Sequence, residues 1–331
     1  MNMGRSARLF RYRLPINSGS VLSGQQCVER VGYVAELRHQ ARTGCGEIAP
    51  LAGFSVESTE AAELQAISVL KHWVDGQEMT KMTLYPSVAF GISMALMCLS
   101  SQLPPQASYH TVPLLSAGSM TEMAPMAALA ECRLAKFKVG RTVPEQEAEQ
   151  VNQLLCRYPH LRLRLDANRA WSLSQAHDFS RHLAPAHISR IVFIEEPCLR
   201  PADCLTFSRE TGLALAWDET FQYAARAPDF RLNRLAGAQT LVLKPTLIGS
   251  VQRCAQLIGD AHAAGMSVVI SSALESSLGL TQLARLSHWL LPDSLPGLDT
   301  LNLFSAQLEI PWPGSSLPVQ SLQEQTQVWQ S

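Results

Sequence analysis

Residues 161–166 read Leu161-Arg162-Leu163-Arg164-Leu165-Asp166, a strict alternation of apolar and charged side chains. Successive side chains of a strand point to opposite faces, so the leucines share one face and Arg162, Arg164 and Asp166 the other. Three later apolar runs end in the same way. The run 191–195 closes on Phe193-Ile194-Glu195 and is followed by Glu196-Pro197; 213–218 closes on Ala216-Trp217-Asp218, before Glu219; 240–244 closes on Leu243-Lys244, before Pro245. Asp166, Glu195, Asp218 and Lys244 stand 29, 23 and 26 residues apart. Each interval is the length of one strand-plus-helix unit.

Working outward, further strands are expected at 112–116, 134–139, 267–271 and 298–302, with helices at 144–157, 172–183, 250–264 and 275–291. Eight such units predict a closed parallel barrel. The competing arrangement is an open doubly wound sheet, but the chain has no GxGxxG or Walker A motif to favour it. Before residue 105 the pattern is α+β. Strands are expected at 7–15, 31–38 and 43–50, and helices at 58–74, capped by Ser58, and at 87–101. Pro104-Pro105 marks a boundary. The resulting division is 1–105, 106–310 and a terminal segment 311–331, loop-like at 311–318 and then a surface tail rich in Gln and Ser.

Composition excludes several classes. Of 331 residues 47% are hydrophobic and 17% charged, which is too apolar for a disordered chain. Lys plus Arg total 27 against 28 Asp plus Glu, so there is no basic footprint for nucleic acid. No uncharged apolar stretch reaches 18 residues, and the Arg-bearing start lacks a signal-peptide core. The eight cysteines form no CxxC pair and read as buried free thiols in a reducing cytosol. A cytoplasmic monomer acting on a small-molecule carboxylate, with neither nucleic acid nor membrane as partner, is the expectation.

A lone Asp218 would read as a helix cap. Four ionisable strand ends in succession read differently, because barrel active sites occupy the C-terminal rim. Three carboxylates converging there repel one another by several kcal/mol at intermediate dielectric unless a cation sits between them. An all-oxygen donor set suits Mg2+, or Mn2+, rather than Zn2+. The preceding strand carries Lys136 and Lys138 on one face and Ala135, Phe137 and Val139 on the other. Two lysines on a wet face would be unremarked, but inside a barrel they must be paired or functional. Crowding with each other and with a cation is expected to lower their pKa toward a competent base.

The set Lys136-x-Lys138, Asp166-Ala167-Asn168, Glu195-Glu196-Pro197, Asp218-Glu219 and Lys244-Pro245 resembles the muconate-lactonizing subgroup of the enolase superfamily. The longer strings LRLDANRAW (163–171), KPTL (244–247), ESSLGLTQLAR (275–285) and PGLDT (296–300) resemble, within it, the o-succinylbenzoate synthase family. Gly46 to Leu51 and Gly53-Phe54-Ser55 resemble that family's capping loop. The resemblance implies an α/β fold, a modified TIM barrel of (β/α)7β type with an α+β N-terminal capping domain. It implies Mg2+ on Asp166, Glu195 and Asp218, and syn dehydration of a cyclohexadiene carboxylate to an aromatic product in menaquinone biosynthesis. Lys138 would be the base, Lys244 the cation facing the enediolate, and Lys136 the support of Lys138. Arg164, Asn168, Ser271 and Gly297 would line the pocket or back it. Ala273 and Thr220 depart from serines common in the family, and 18–30 would be a mobile capping loop. Relatives with the same ligands and paired bases — N-acylamino acid racemases, dipeptide epimerases, muconate cycloisomerases — are the alternative, and a non-catalytic barrel is a remote third.

Overall fold

The alternation near the N-terminus forms strand β1 (Arg5–Pro15), which pairs antiparallel with β2 (Glu29–His39), itself paired with β3 (Arg42–Ile48). The computed structural model describes residues 4–17, 21–22, 25–26, 28–77, 82–115, 129–227 and 229–331. Of the expected capping loop 18–30, residues 18–20, 23–24 and 27 lie outside the described residues, while Glu29 and Arg30 open β2. Two compact units result: 1–110 with 244–258 and 270–331, and 111–243 with 259–269.

In the first unit, helix α1 (Thr59–Val74) starts at Ser58, whose side chain accepts from the Ala61 N–H as expected. Helix α2 (Pro86–Leu99) buries Val88, Phe90, Ile92, Met94 and Met97. It lies directly on β3 because Gly44 and Gly46 present no side chain there. A Cβ on Gly46 would run into the Gly91 carbonyl oxygen, and one on Gly44 into that of Ala95. The core joins Leu9, Tyr33, Leu37, Ile48, Val69, Leu70, Trp73 and Ile92. Each such burial is worth about 1.5–3 kcal/mol.

The tail corrects an expectation. Strand β11 (Thr326–Gln330) pairs antiparallel with β1, with Trp329 opposite Leu9, giving the sheet order β11-β1-β2-β3. Val328 and Trp329 pack against the core, which outweighs the polar composition around them.

In the other sheet seven strands stand in the order β10-β9-β8-β7-β6-β5-β4. They are β4 (Leu114–Leu115), β5 (Leu134–Lys138), β6 (Arg162–Asp166), β7 (Ile191–Glu195), β8 (Leu215–Trp217), β9 (Thr240–Leu243) and β10 (Ser267–Ile270). Helices α3 (Pro144–Arg157), α4 (Leu173–His182), α5 (Pro201–Thr211), α6 (Glu219–Ala224) and α7 (Val251–Ala263) intervene, and α8 (Ser277–Leu290) follows. The eighth strand expected at 298–302 is a second correction. Leu301–Leu303 is a 3-10 turn, and only a single parallel bridge, Ser271 to Gly297, stands at that place. Leu298 and Leu301 are both buried, and a spacing of three fits a helical turn rather than a strand.

The cysteines also differ from expectation. Cys198, Cys204 and Cys254 are buried free thiols, but Cys45, Cys98 and Cys132 are half-buried and Cys156 is exposed; Cys27 lies outside the described residues. Among the described residues no helix is long and apolar enough to cross a membrane.

Within the first unit Glu47 on β3 is a buried tie. Its carboxylate accepts from the Tyr12 hydroxyl, from the Ser276 N–H (2.9 Å) and from the Ser276 hydroxyl (2.7 Å). Gly279 is needed beside it, since a Cβ there would collide with that carboxylate. Burial raises the Glu47 carboxyl above its usual range. Folding therefore favours the protonated form; that contribution is full below the ordinary carboxylate range and is lost as pH rises through the raised folded value. Glu47→Gln should cost less than about 1 kcal/mol at pH 7, and Glu47→Ala, which orphans Tyr12 and Ser276, about 2–4 kcal/mol. In melts from pH 4 to pH 8 the comparison should move in favour of Glu47→Gln as pH climbs; a constant difference would mean that folding leaves the Glu47 pKa where it is in the unfolded chain.

Candidate active site

Parallel pairing brings the charged strand ends to one edge. Lys136 stands opposite Arg164, Lys138 opposite Asp166, and Asp166 opposite Glu195, while Ala216 on β8 stands opposite Glu195. Partners in register project from the same face. Lys138, Asp166 and Glu195 therefore form a row at the C-terminal ends of β5, β6 and β7. Asp218 follows β8 and opens α6, and Lys244 follows β9 and opens the short helix Pro245–Ile248.

The carboxylates are buried, with Asp166, Glu195 and Asp218 only 7%, 3% and 5% exposed. The Lys136 ammonium lies 2.8 Å from Asp166 Oδ2 and 2.6 Å from Glu195 Oε2. Burial by itself would lower the Lys136 pKa, but Asp166, Glu195 and Asp218 more than reverse this and hold it above the usual lysine range. The expectation of two depressed lysines is thus corrected for Lys136, whose three anionic neighbours outweigh desolvation. Burial pushes Glu195 above the usual carboxylate range, against the pull of Lys136, and the charges of Asp166 and Asp218 add to it. Among the described residues no three His, Cys, Asp or Glu side chains gather as a metal-ligating group. Asp166 and Glu195 meet on the Lys136 ammonium instead. The donor set still fits a hard divalent cation: it is all carboxylate oxygen, it is buried, and it already draws a positive charge between two of its members.

The other expected residues are distributed as follows. Arg164 is buried, stacks 5.4 Å from the centre of the Phe193 ring, and has its pKa lowered to about 10 by burial. Asn168 is exposed, with φ +46°, and its N–H donates to Asp166 Oδ1 at 3.1 Å. Lys244 is half-buried, with its ammonium 6.0 Å from the centre of the Phe54 ring. The Ser271 hydroxyl donates to the Gly297 carbonyl at 3.2 Å. A Cβ on Gly297 would stand 3.1 Å from that hydroxyl oxygen, so a larger residue would crowd it.

Sequence reasoning missed the role of Glu196. Only 1% exposed, it accepts from the N–H groups of Asp218 (3.0 Å) and Thr220 (2.7 Å), from the Thr220 hydroxyl (3.0 Å), and pairs with Arg169 at 3.2 Å. Its own carbonyl accepts from the Arg169 N–H at 2.8 Å. Glu196 thus holds the backbone of Asp218 and the loop after Asp166 while adjoining Glu195. The signal was the doubled Glu195-Glu196 before Pro197, a second carboxylate directly after the strand end. Gln222 adds a further brace, donating to the Val242 carbonyl at 2.9 Å and to Asp218 Oδ1 at 3.4 Å.

Residues 4–99 match the family described as MenC, N-terminal domain, and residues 119–300 the family described as enolase C-terminal domain-like. The o-succinylbenzoate synthase of Vibrio cholerae is 51% identical over 99% of this chain and 98% of the relative. That of Yersinia enterocolitica is 45% identical over 99% of this chain and all of the relative. Among solved structures, the o-succinylbenzoate synthase of Thermosynechococcus elongatus, complexed with Mg in its active site, superposes with a TM-score of 0.74 at 23% identity, over 90% of this chain and 93% of that one. The L-Ala-D/L-Glu epimerase of Bacillus subtilis gives 0.73 at 19% identity, over 93% and 92%. These two likenesses fix the fold.

With Mg2+ held by Asp218 as the family resemblance implies, Glu196→Gln should leave the far-ultraviolet spectrum unchanged and weaken Mg2+ binding 10–100-fold by calorimetry, the usual cost of losing a group that orients a ligand. Undiminished affinity would mean that Asp218 is positioned without it.

Proposed function

This chain belongs to the o-succinylbenzoate synthase family of the enolase superfamily, and we propose on that premise how its own residues carry out the family's lyase reaction. The reaction is dehydration of 2-succinyl-6-hydroxy-2,4-cyclohexadiene-1-carboxylate to o-succinylbenzoate, in menaquinone biosynthesis. The observation that carries the reading is the Lys136 ammonium held between Asp166 and Glu195 at the ends of adjoining strands.

Asp166, Glu195 and Asp218 would hold Mg2+, with Mn2+ as a substitute. When bound, the ion supplies positive charge where the substrate carboxylate gains its second negative charge. A unit charge at about 4 Å is worth about 4 kcal/mol at an effective dielectric of 20, nearly a thousandfold in rate. Lys138 is the base. It breaks the C–H bond beside the carboxylate, takes the proton on Nζ, and leaves the electron pair in an enediolate. Return of that pair expels the hydroxyl from the same face. The C–O bond breaks, the proton on Lys138 passes to the departing oxygen, and water leaves an aromatic ring. Atoms and electrons balance without a redox partner. Lys138 must begin neutral, and the neighbouring Lys136 cation favours that state. Lys244 remains an ammonium and faces the enediolate. Arg164, Asn168, Ser271 and Gly297 shape the pocket. The chain works as a monomer in the cytoplasm on this small carboxylate.

The near-full-length identity to the Vibrio cholerae and Yersinia enterocolitica synthases favours this substrate over acylated amino acids or dipeptides. Purified chain with Mg2+ should form o-succinylbenzoate, seen by its absorbance and mass. Epimerisation of an L-Ala-L-Glu dipeptide without that product would reverse the order.

Lys138→Ala should lower turnover at least 10³-fold, with melting temperature and Mg2+ affinity retained. Asp218→Asn should weaken Mg2+ binding and turnover together, and chelation should abolish activity until Mg2+ is restored. An unimpaired rate in either variant would remove that residue from its role.

A further inference from the structure

A cleft of about 780 Å3 lies within the first unit, along α1 and α2, with Trp73, Ile92, Leu96 and Met97 on its apolar wall. Its volume falls in the range of small-molecule sites. Arg5 and His39 also line it, and they are direct cross-strand partners, with Arg42 opposite His39 on the next strand. Arg5 and His39 therefore stand side by side, on one face, at the edge of an apolar cleft.

The charge of Arg5 contrasts with its neighbours along β1. Arg8 pairs with Glu36, Arg11 with Glu63, and Arg13 with Glu29. Among the described residues no carboxylate lies within ion-pair distance of Arg5. Its guanidinium donates to the Trp73 carbonyl at 3.1 Å and stacks 5.4 Å from the centre of the Trp73 ring. One N–H is thereby engaged and the cation is oriented over an aromatic face, leaving further donors of the fork for an acceptor. An apolar wall ending in the Arg5 cation complements a molecule with the opposite arrangement, an apolar body ending in an anion.

We propose that this cleft binds an amphipathic organic carboxylate, its apolar body along α2 and its carboxylate on Arg5, with His39 beside it. The proposal does not depend on the assignment of the catalytic site, since none of its residues belongs to that site. The full chain would be titrated with dodecanoate and with 2-naphthoate, following tryptophan fluorescence and calorimetry, each against the neutral alcohol of the same body. The expected result is saturable binding of one acid, at least tenfold tighter than its alcohol. Dodecanoate as that acid identifies an alkyl body, and 2-naphthoate an aryl one. Arg5→Gln should weaken the acid at least tenfold and leave the alcohol unchanged. Leu96→Trp, which fills the cleft, should abolish binding of both while the chain stays folded by circular dichroism. Equal affinity for acid and alcohol, no saturable binding, or binding that survives Leu96→Trp would overturn the proposal.

Discussion

Three buried carboxylates at the ends of adjoining parallel strands require a positive charge among them. Parallel pairing makes the proximity unavoidable, because every strand delivers its C-terminal end to the same edge. Lys138, Asp166 and Glu195 stand in register across that edge, and Asp218 follows one strand on. Each like-charge pair near 4 Å opposes folding by about 4 kcal/mol at intermediate dielectric. Lys136, reaching between Asp166 and Glu195, offsets part of that cost, while burial, with the charges of Asp166 and Asp218, still raises the Glu195 carboxyl. An edge so charged is poor as a structural device and apt for holding a cation beside an anionic substrate.

The two lysines of β5 share a face and stand opposite different partners, Lys136 opposite Arg164 and Lys138 opposite Asp166. Lys136 lies two residues nearer the strand start, and its side chain reaches forward into the carboxylates, which fix it as an ammonium. Lys138 ends the strand, opposite Asp166. A Lys-x-Lys spacing on a strand thus sets two amines of the same residue type against different neighbours.

Much of this could be read from the chain. Strand ends at Asp166 and Glu195 followed from the pattern of the runs, and Ser58 announced its helix. What escaped was set by tertiary contact. The tail at 326–330 is polar by composition and becomes a strand because β1 offers an open edge and the core accepts Val328 and Trp329. The segment 298–302 looked like an eighth strand, but only Gly297 bridges Ser271 before the chain turns. Lys136 was misjudged in protonation because spacing shows which groups share a face and not which of them touch. Glu196 escaped because its importance lies in hydrogen bonds from the backbone of Asp218, 22 residues away, and of Thr220.

Glu196 also shows how the carboxylate edge is kept in order. In an extended strand Glu195 and Glu196 would point to opposite faces, and Glu196 would be lost among the packing helices. Its φ of +33° departs from the strand conformation, a strain of about 1–3 kcal/mol for a residue with a Cβ. Against that stand hydrogen bonds from two backbone N–H groups and a hydroxyl, together with the Arg169 guanidinium. Bonds to an ionised group contribute about 1.5–3 kcal/mol each, so the strained conformer prevails. The same bonds tie the start of α6, and with it Asp218, to the residue after Glu195. The relative placement of two carboxylates on different strands is therefore decided by the backbone of the residue between them.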